Sequence, residues 1–216
     1  MSLDSNKIIE RSVDSIAKIY AVVIALAIAQ AIQTLIKDPS GGTDLKVDAL
    51  CSGAPAFVAF LFTLVPFWHG MNRHLDRCYL EKTGVVAQGA LLFDFTVFFL
   101  ESGFLFAAGW SLRTGMVTFY CLGALLVTDM VWGYISHLIH FPHEKSHVAR
   151  WSIINVVAGL LAFMIVAYPF ERKPWVLMVI AIVRSVADYR ICWRFYFPSS
   201  DVQQGHETTG SDVTVG

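Results

Sequence analysis

Residues 85–110 read VVAQGALLFDFTVFFLESGFLFAAGW, an almost wholly apolar stretch that carries only two charged side chains, Asp94 and Glu101. A helix that crosses a bilayer needs about 20 mostly apolar residues, because each residue advances the helix by about 1.5 Å and the hydrocarbon core is about 30 Å thick. The stretch is therefore long enough to span a membrane. Its two acids are residues that lipid normally excludes.

Five further stretches have the same apolar character, at residues 15–36, 48–69, 118–140, 148–170 and 175–197. The 216-residue chain is 56% hydrophobic and 15% charged, whereas an average soluble domain is about 25% charged. The sequence predicts an all-α polytopic membrane bundle of six transmembrane helices over residues 15–197. A cytoplasmic segment, 1–14, precedes the bundle and a disordered polar tail, 198–216, follows it.

Basic residues predict the orientation, because cytoplasmic segments of membrane proteins are enriched in Lys and Arg. With a cytoplasmic N-terminus, ten basic residues fall on the inner side and five on the outer side. Six spans also require the two termini to share a side. We therefore expect both termini in the cytoplasm, in a bacterial inner membrane. The net charge of −1 argues against a nucleic-acid partner.

Five ionisable residues fall inside the predicted spans, where each costs at least about 2.5–3.5 kcal/mol unless it has a partner, water or a function. They are Asp94, Glu101, Asp129, Arg184 and Asp188. Counting along the helices puts the three aspartates at one level, roughly 15 Å from the inner end. A hydrated acidic layer that conducts a monovalent cation or proton is one interpretation. A network of ion pairs that only fixes helix register is the other.

The first span adds four isoleucines that could form a hydrophobic gate, Ile16, Ile19, Ile24 and Ile28. Ordinary packing or contact with lipid is the alternative for them. Small residues spaced four apart on the third and fifth spans provide faces for close helix contact, as at Gly103 and Ala107. Because six short helices rarely enclose a pore alone, we expect a homo-oligomer.

His143-Glu144-Lys145-Ser146-His147 matches HExxH, in which two histidines one helical turn apart bind zinc and the glutamate acts as the general base. A catalytic zinc needs a third protein ligand, which His140 could supply. The motif therefore keeps a membrane zinc metallohydrolase as an alternative function. A non-catalytic membrane partner or scaffold protein is a further alternative.

The chain also resembles the filterless six-helix potassium channels of lysosomes and bacteria, in its six helices, its internal termini and its lack of a TVGYG filter loop. Arg11-Ser12-Val13-Asp14 is similar to that family's first-helix motif, although the Phe is missing. Trp68-His69 and His74 resemble the end of its second helix. The resemblance implies an ion channel gated by first-helix isoleucines, and we predict a small ion channel or ion-translocating protein.

Overall fold

The computed structural model describes residues 3–36, 47–81, 88–114, 116–140, 147–167 and 173–198. These residues are almost entirely helical, with no β-strand among them, so the predicted all-α class is confirmed. The helices are α1 (Leu3–Ile36), α2 (Val47–Leu75), α3 (Gln88–Trp110), α4 (Met116–His140), α5 (His147–Ala167), α6 (Lys173–Ile191) and the single turn α7 (Trp193–Tyr196).

Each of the six long helices overlaps one predicted span. Four segments within these helices, or continuous with them, are long and apolar enough to cross a bilayer, namely Lys7–Ile36, Cys51–Leu80, Gly89–Trp110 and Met116–His140. The apolar part of α5, Trp151–Ala167, is shorter, and α6 is interrupted by charged side chains. The helical bundle is therefore that of an integral membrane protein with several spans.

The second helix runs past its predicted end at residue 69. It continues to Leu75 and then through a π-helical turn, Asp76–Leu80, although the run at 72–82 is rich in charge. The charges do not end the helix because they find partners. Both terminal guanidinium nitrogens of Arg73 donate to the Glu81 carboxylate, and Arg73 Nε donates to the carbonyl oxygen of Phe195 at 3.0 Å.

Two further boundaries differ from the predicted ones. α1 already begins at Leu3, so most of the segment predicted at 1–14 is continuous with the first helix. α6 ends at Ile191, and the chain bends at Cys192 before α7. Beyond residue 198 the predicted polar tail lies outside the described residues.

The helices pack so that α1 contacts α2 and α3, α3 contacts α4, and α5 contacts α4 and α6, while α6 also contacts α2. Among the four candidate spans, α2 has the largest buried share. The apolar core joins Tyr20 of α1, Phe60 and Phe67 of α2, and Phe98 of α3. In contrast, large apolar side chains such as Leu92, Phe99 and Leu160 are exposed on the outside, which suits contact with lipid.

Pro66 lies inside α2 and has no backbone N–H, so the carbonyl oxygen of Phe62, four residues earlier, lacks its usual helical donor. Ser185 of α6 supplies the missing hydrogen bond, since its hydroxyl donates to that carbonyl. In an apolar environment an unpartnered carbonyl is costly, and a serine from a neighbouring helix is a common remedy. The contact joins α2 to α6 near the charged residues of α6.

We expect Ser185→Ala to lower the free energy of unfolding by about 1 kcal/mol, because it leaves the Phe62 carbonyl without a donor. In a Pro66→Ala background the restored N–H satisfies that carbonyl, so the same serine change should cost almost nothing. Denaturation of the purified protein in micelles measures both values. Ser12→Ala is the control, because that hydroxyl bonds within α1. An equal cost of Ser185→Ala in both backgrounds would contradict the assignment.

Candidate functional site

All five charged residues that the sequence singles out are buried inside the bundle, and none is more than 7% exposed. They come from three helices, with Asp94 and Glu101 on α3, Asp129 on α4, and Arg184 and Asp188 on α6. The bundle thus places charge inside and apolar side chains outside. Their contacts divide them into two clusters and a pair of acids between the clusters.

Asp94 is the centre of the first cluster. The indole Nε1 of Trp132 donates to its Oδ1 at 2.8 Å, while the Tyr79 hydroxyl donates to its Oδ2 at 2.7 Å. His74 Nε2 lies 2.9 Å from the same Oδ2 and donates to it when that nitrogen carries the proton. Three donors on one buried carboxylate form the arrangement that stabilises a negative charge.

Further polar side chains surround these contacts. His140 Nε2 lies 3.7 Å from Asp94 Oδ2 and 3.4 Å from the Tyr79 hydroxyl. Cys78 Sγ lies 3.6 Å from His74 Nδ1, on the side of the imidazole opposite Asp94. Ser136 Oγ lies 3.3 Å from His74 Nε2. We call this group the His–Asp cluster; its members are His74, Cys78, Tyr79, Asp94, Trp132, Ser136 and His140.

The π-helical turn at the end of α2 explains how one helix provides three members of the His–Asp cluster. In this turn the Glu81 N–H donates to the carbonyl oxygen of Asp76, five residues earlier, at 2.9 Å. Each π turn takes in more residues than an α turn, and isolated π turns occur frequently at functional sites. His74 and Tyr79, five residues apart, can therefore reach the same carboxylate oxygen, with Cys78 beside them.

The second cluster centres on Arg184. Its Nε donates to the side-chain oxygen of Asn155 on α5 at 2.8 Å, and its Nη2 lies 3.8 Å from Asp188 Oδ2, one helical turn along α6. The Tyr196 hydroxyl of α7 donates to the same Asp188 oxygen at 3.0 Å. The Tyr196 contact therefore joins α7 to α6 at Asp188.

Glu101 and Asp129 connect the two clusters electrostatically. Glu101 interacts with Asp129 and Asp94, and Asp129 interacts with Arg184 and Asp188. Glu101 has no exposed surface, and neither of its carboxylate oxygens has a hydrogen-bond partner among the described residues. A buried carboxylate in that setting is costly unless a proton, cation or water accompanies it.

The contacts group the acids by their partners and not by depth, so the predicted single level of aspartates stays a prediction. Asp94 contacts two histidines near the end of the bundle where α2 and α4 end, while Asp188 belongs to the Arg184 cluster. Two helix ends differ from the predicted ones, since α3 begins at Gln88 and α6 ends at Ile191. Glu101 interacts with both Asp94 and Asp129.

The four candidate gate isoleucines do not share one environment. Ile24 is buried in the apolar core, and Ile16 and Ile28 pack against that core in part. Ile19 is 48% exposed and faces away from the core. A gate formed by these residues stays a prediction.

The HExxH motif lies largely outside the described residues. His143 and Glu144 precede α5, and of His147 only the backbone, as the first residue of α5, is described. His140, the suggested third ligand, ends α4 within the His–Asp cluster. A zinc site at 143–147 therefore stays a prediction.

Sequence reasoning missed most of the partners of the charged residues. Tyr79 and Cys78 lie between the predicted spans 48–69 and 85–110, and Asn155, Trp132 and Tyr196 are uncharged. One signal was available, because His74 and Cys78 are four residues apart and share a helical face if the helix continues.

No family model, curated protein or solved structure matches this chain. The resemblance to filterless potassium channels therefore stays a prediction.

We expect Trp132→Phe to lower the free energy of unfolding by about 1–3 kcal/mol, because it removes the donor to Asp94 Oδ1 and leaves a buried charge partly unsatisfied. Trp110→Phe is the matched control, since that indole is 64% exposed on the outside of the bundle. Denaturation in micelles measures both variants. Equal stability of the two would show that the indole does not hold the Asp94 carboxylate.

Proposed function

We propose that the protein is a multi-pass inner-membrane protein that translocates a proton or monovalent cation through the interior of its helical bundle. In this proposal α5 and α6 join the four candidate spans to make six, and both termini lie in the cytoplasm. The observation that carries the proposal is Glu101, a fully buried carboxyl with no hydrogen-bond partner among the described residues. Such a group takes up a proton or cation far more readily than a carboxylate already held by three donors.

The neighbours of Glu101 form a chain of buried acids along which a proton or cation could move, so Glu101 is not an isolated binding site. Asp94 and Glu101 are seven residues apart on α3, so about 10 Å of helix separates them and they share a face. Asp129 then leads from Glu101 towards Arg184 and Asp188. Chains of buried acids and histidines within membrane helices are typical of proton relays and ion pathways.

The positive charge of Arg184 fits the same proposal. It offsets part of the negative charge of Asp129 and Asp188, and its Asn155 contact holds it in place. A cation entering this region therefore meets acids with a net negative charge that one guanidinium moderates. Arg184 would lower the affinity of these acids for the cation and would not bind the cation itself.

The homo-oligomer remains part of the proposal, as does the gate at the isoleucines of α1. Glu101, buried without a hydrogen-bond partner among the described residues, is the observation that favours ion translocation over a scaffold whose buried charges only hold the helices together.

Flux measurements on the full chain in liposomes test the proposal. With a pH-sensitive dye inside and then with a potassium gradient, we expect wild-type vesicles to dissipate at least one gradient. Glu101→Gln, which keeps the shape but loses the carboxyl, should fall to the level of empty vesicles, whereas Glu101→Asp should retain part of the flux. Glu10→Gln is the matched control, because this glutamate is exposed on the surface of α1 and lies outside the buried path.

Two results would overturn the proposal. One is the absence of flux from the wild-type protein under either gradient. The other is wild-type flux in Glu101→Gln protein that remains helical and monodisperse.

A further inference from the structure

We propose that His74, Cys78 and His140 bind a zinc ion at the end of the bundle where α2 and α4 end. One ligand atom from each of these residues lies within 4.8 Å of the others, so a single ion can reach all three. Two imidazoles and a thiolate are ligands that zinc prefers. This site is separate from the HExxH motif and shares only His140 with the ligands suggested for it.

The distance between His74 and Cys78 supports a shared metal. Zinc binds sulfur at about 2.3 Å and imidazole nitrogen at about 2.0–2.1 Å, so two such ligands on a tetrahedral ion lie about 3.6 Å apart. Cys78 Sγ and His74 Nδ1 lie 3.6 Å apart. The α2 backbone therefore already holds this pair at the separation that the ion requires.

Asp94 gives the second argument. A histidine that binds zinc through one nitrogen usually donates its other N–H to a carboxylate or carbonyl, which fixes the tautomer and the ring orientation. His74 Nε2 lies 2.9 Å from Asp94 Oδ2, which leaves Nδ1 directed at Cys78. Trp132 and Tyr79 in turn hold Asp94 in place. Asp94 thus acts as a positioning residue for the ligand His74.

The position of the site allows an ion to reach it. Cys78 is fully buried, whereas the side chains of His74 and His140 keep exposed fractions of 12% and 8%. Three protein ligands leave the fourth position of a tetrahedral ion for water or another group. On binding, the Cys78 thiol loses its proton to solvent, so that a thiolate faces the ion.

X-ray absorption at the zinc edge of the zinc-loaded, full-length protein tests the site without any mutation. We expect one zinc per chain with one sulfur neighbour at about 2.3 Å and nitrogen or oxygen neighbours at about 2.0–2.1 Å. A shell of nitrogen and oxygen alone would overturn the proposal, because HExxH has no sulfur ligand. Less than stoichiometric zinc at saturating concentration would overturn it as well.

Cobalt substitution assigns the sulfur to a residue. Co²⁺-loaded wild-type protein should show a thiolate-to-cobalt charge-transfer band, which Cys78→Ser should abolish and which Cys121→Ser, the matched control, should keep. Asp94→Asn should keep the band and weaken zinc binding about 10–100-fold, as loss of a carboxylate behind a ligand does. A band that survives in Cys78→Ser would overturn the assignment. None of these measurements depends on ion flux, so failure of the metal site and failure of the transport proposal are distinguishable.

Discussion

The packing of α2, α3 and α4 inside the bundle depends on the hydrogen bonds to the Asp94 carboxylate. A charge placed among apolar helices must be surrounded by donors, because neither lipid nor an apolar core can solvate it. Its donors come from α2 and α4, while Asp94 itself lies on α3. One carboxylate therefore fixes the relative positions of three helices.

The need of buried polar groups for hydrogen-bond partners also explains contacts elsewhere in the bundle. The π-helical turn of α2 lets His74 and Tyr79 reach Asp94 together, and the Phe62 carbonyl that Pro66 leaves free is satisfied from α6 by Ser185. Arg184 is likewise held between Asn155 and Asp188. Glu101 differs from Asp94, Arg184 and Asp188, because neither of its carboxylate oxygens has a hydrogen-bond partner among the described residues, and we attribute function to it for that reason.

The sequence was sufficient for the helical class and for the residues that carry charge inside the bundle. Charged residues within long apolar runs are conspicuous, so Asp94, Glu101, Asp129, Arg184 and Asp188 could be named from their spacing alone. The positions of all six long helices also followed from apolar length. Four of these helices meet the criteria for a membrane span.

The partners of those charges could not be predicted in the same way. Trp132 and Tyr79 are ordinary residues in a sequence, and their role depends on which helices are neighbours and how each is rotated. The predicted second span ends at residue 69, since the sequence does not reveal that Arg73 and Glu81 in the charged run beyond it bind each other. Without that continuation His74 and Cys78 could not be placed beside Asp94.

The central claim is that protons or cations from water reach the buried Glu101 carboxyl, as the proposed translocation requires, and infrared difference spectroscopy tests it most directly. Comparison of wild-type and Glu101→Gln protein across a pH change isolates the carbonyl stretch of the Glu101 carboxylic acid. We predict a Glu101 band that changes with pH and shifts promptly when D₂O replaces water. A Glu101 band that neither responds to pH nor shifts in D₂O would contradict the account.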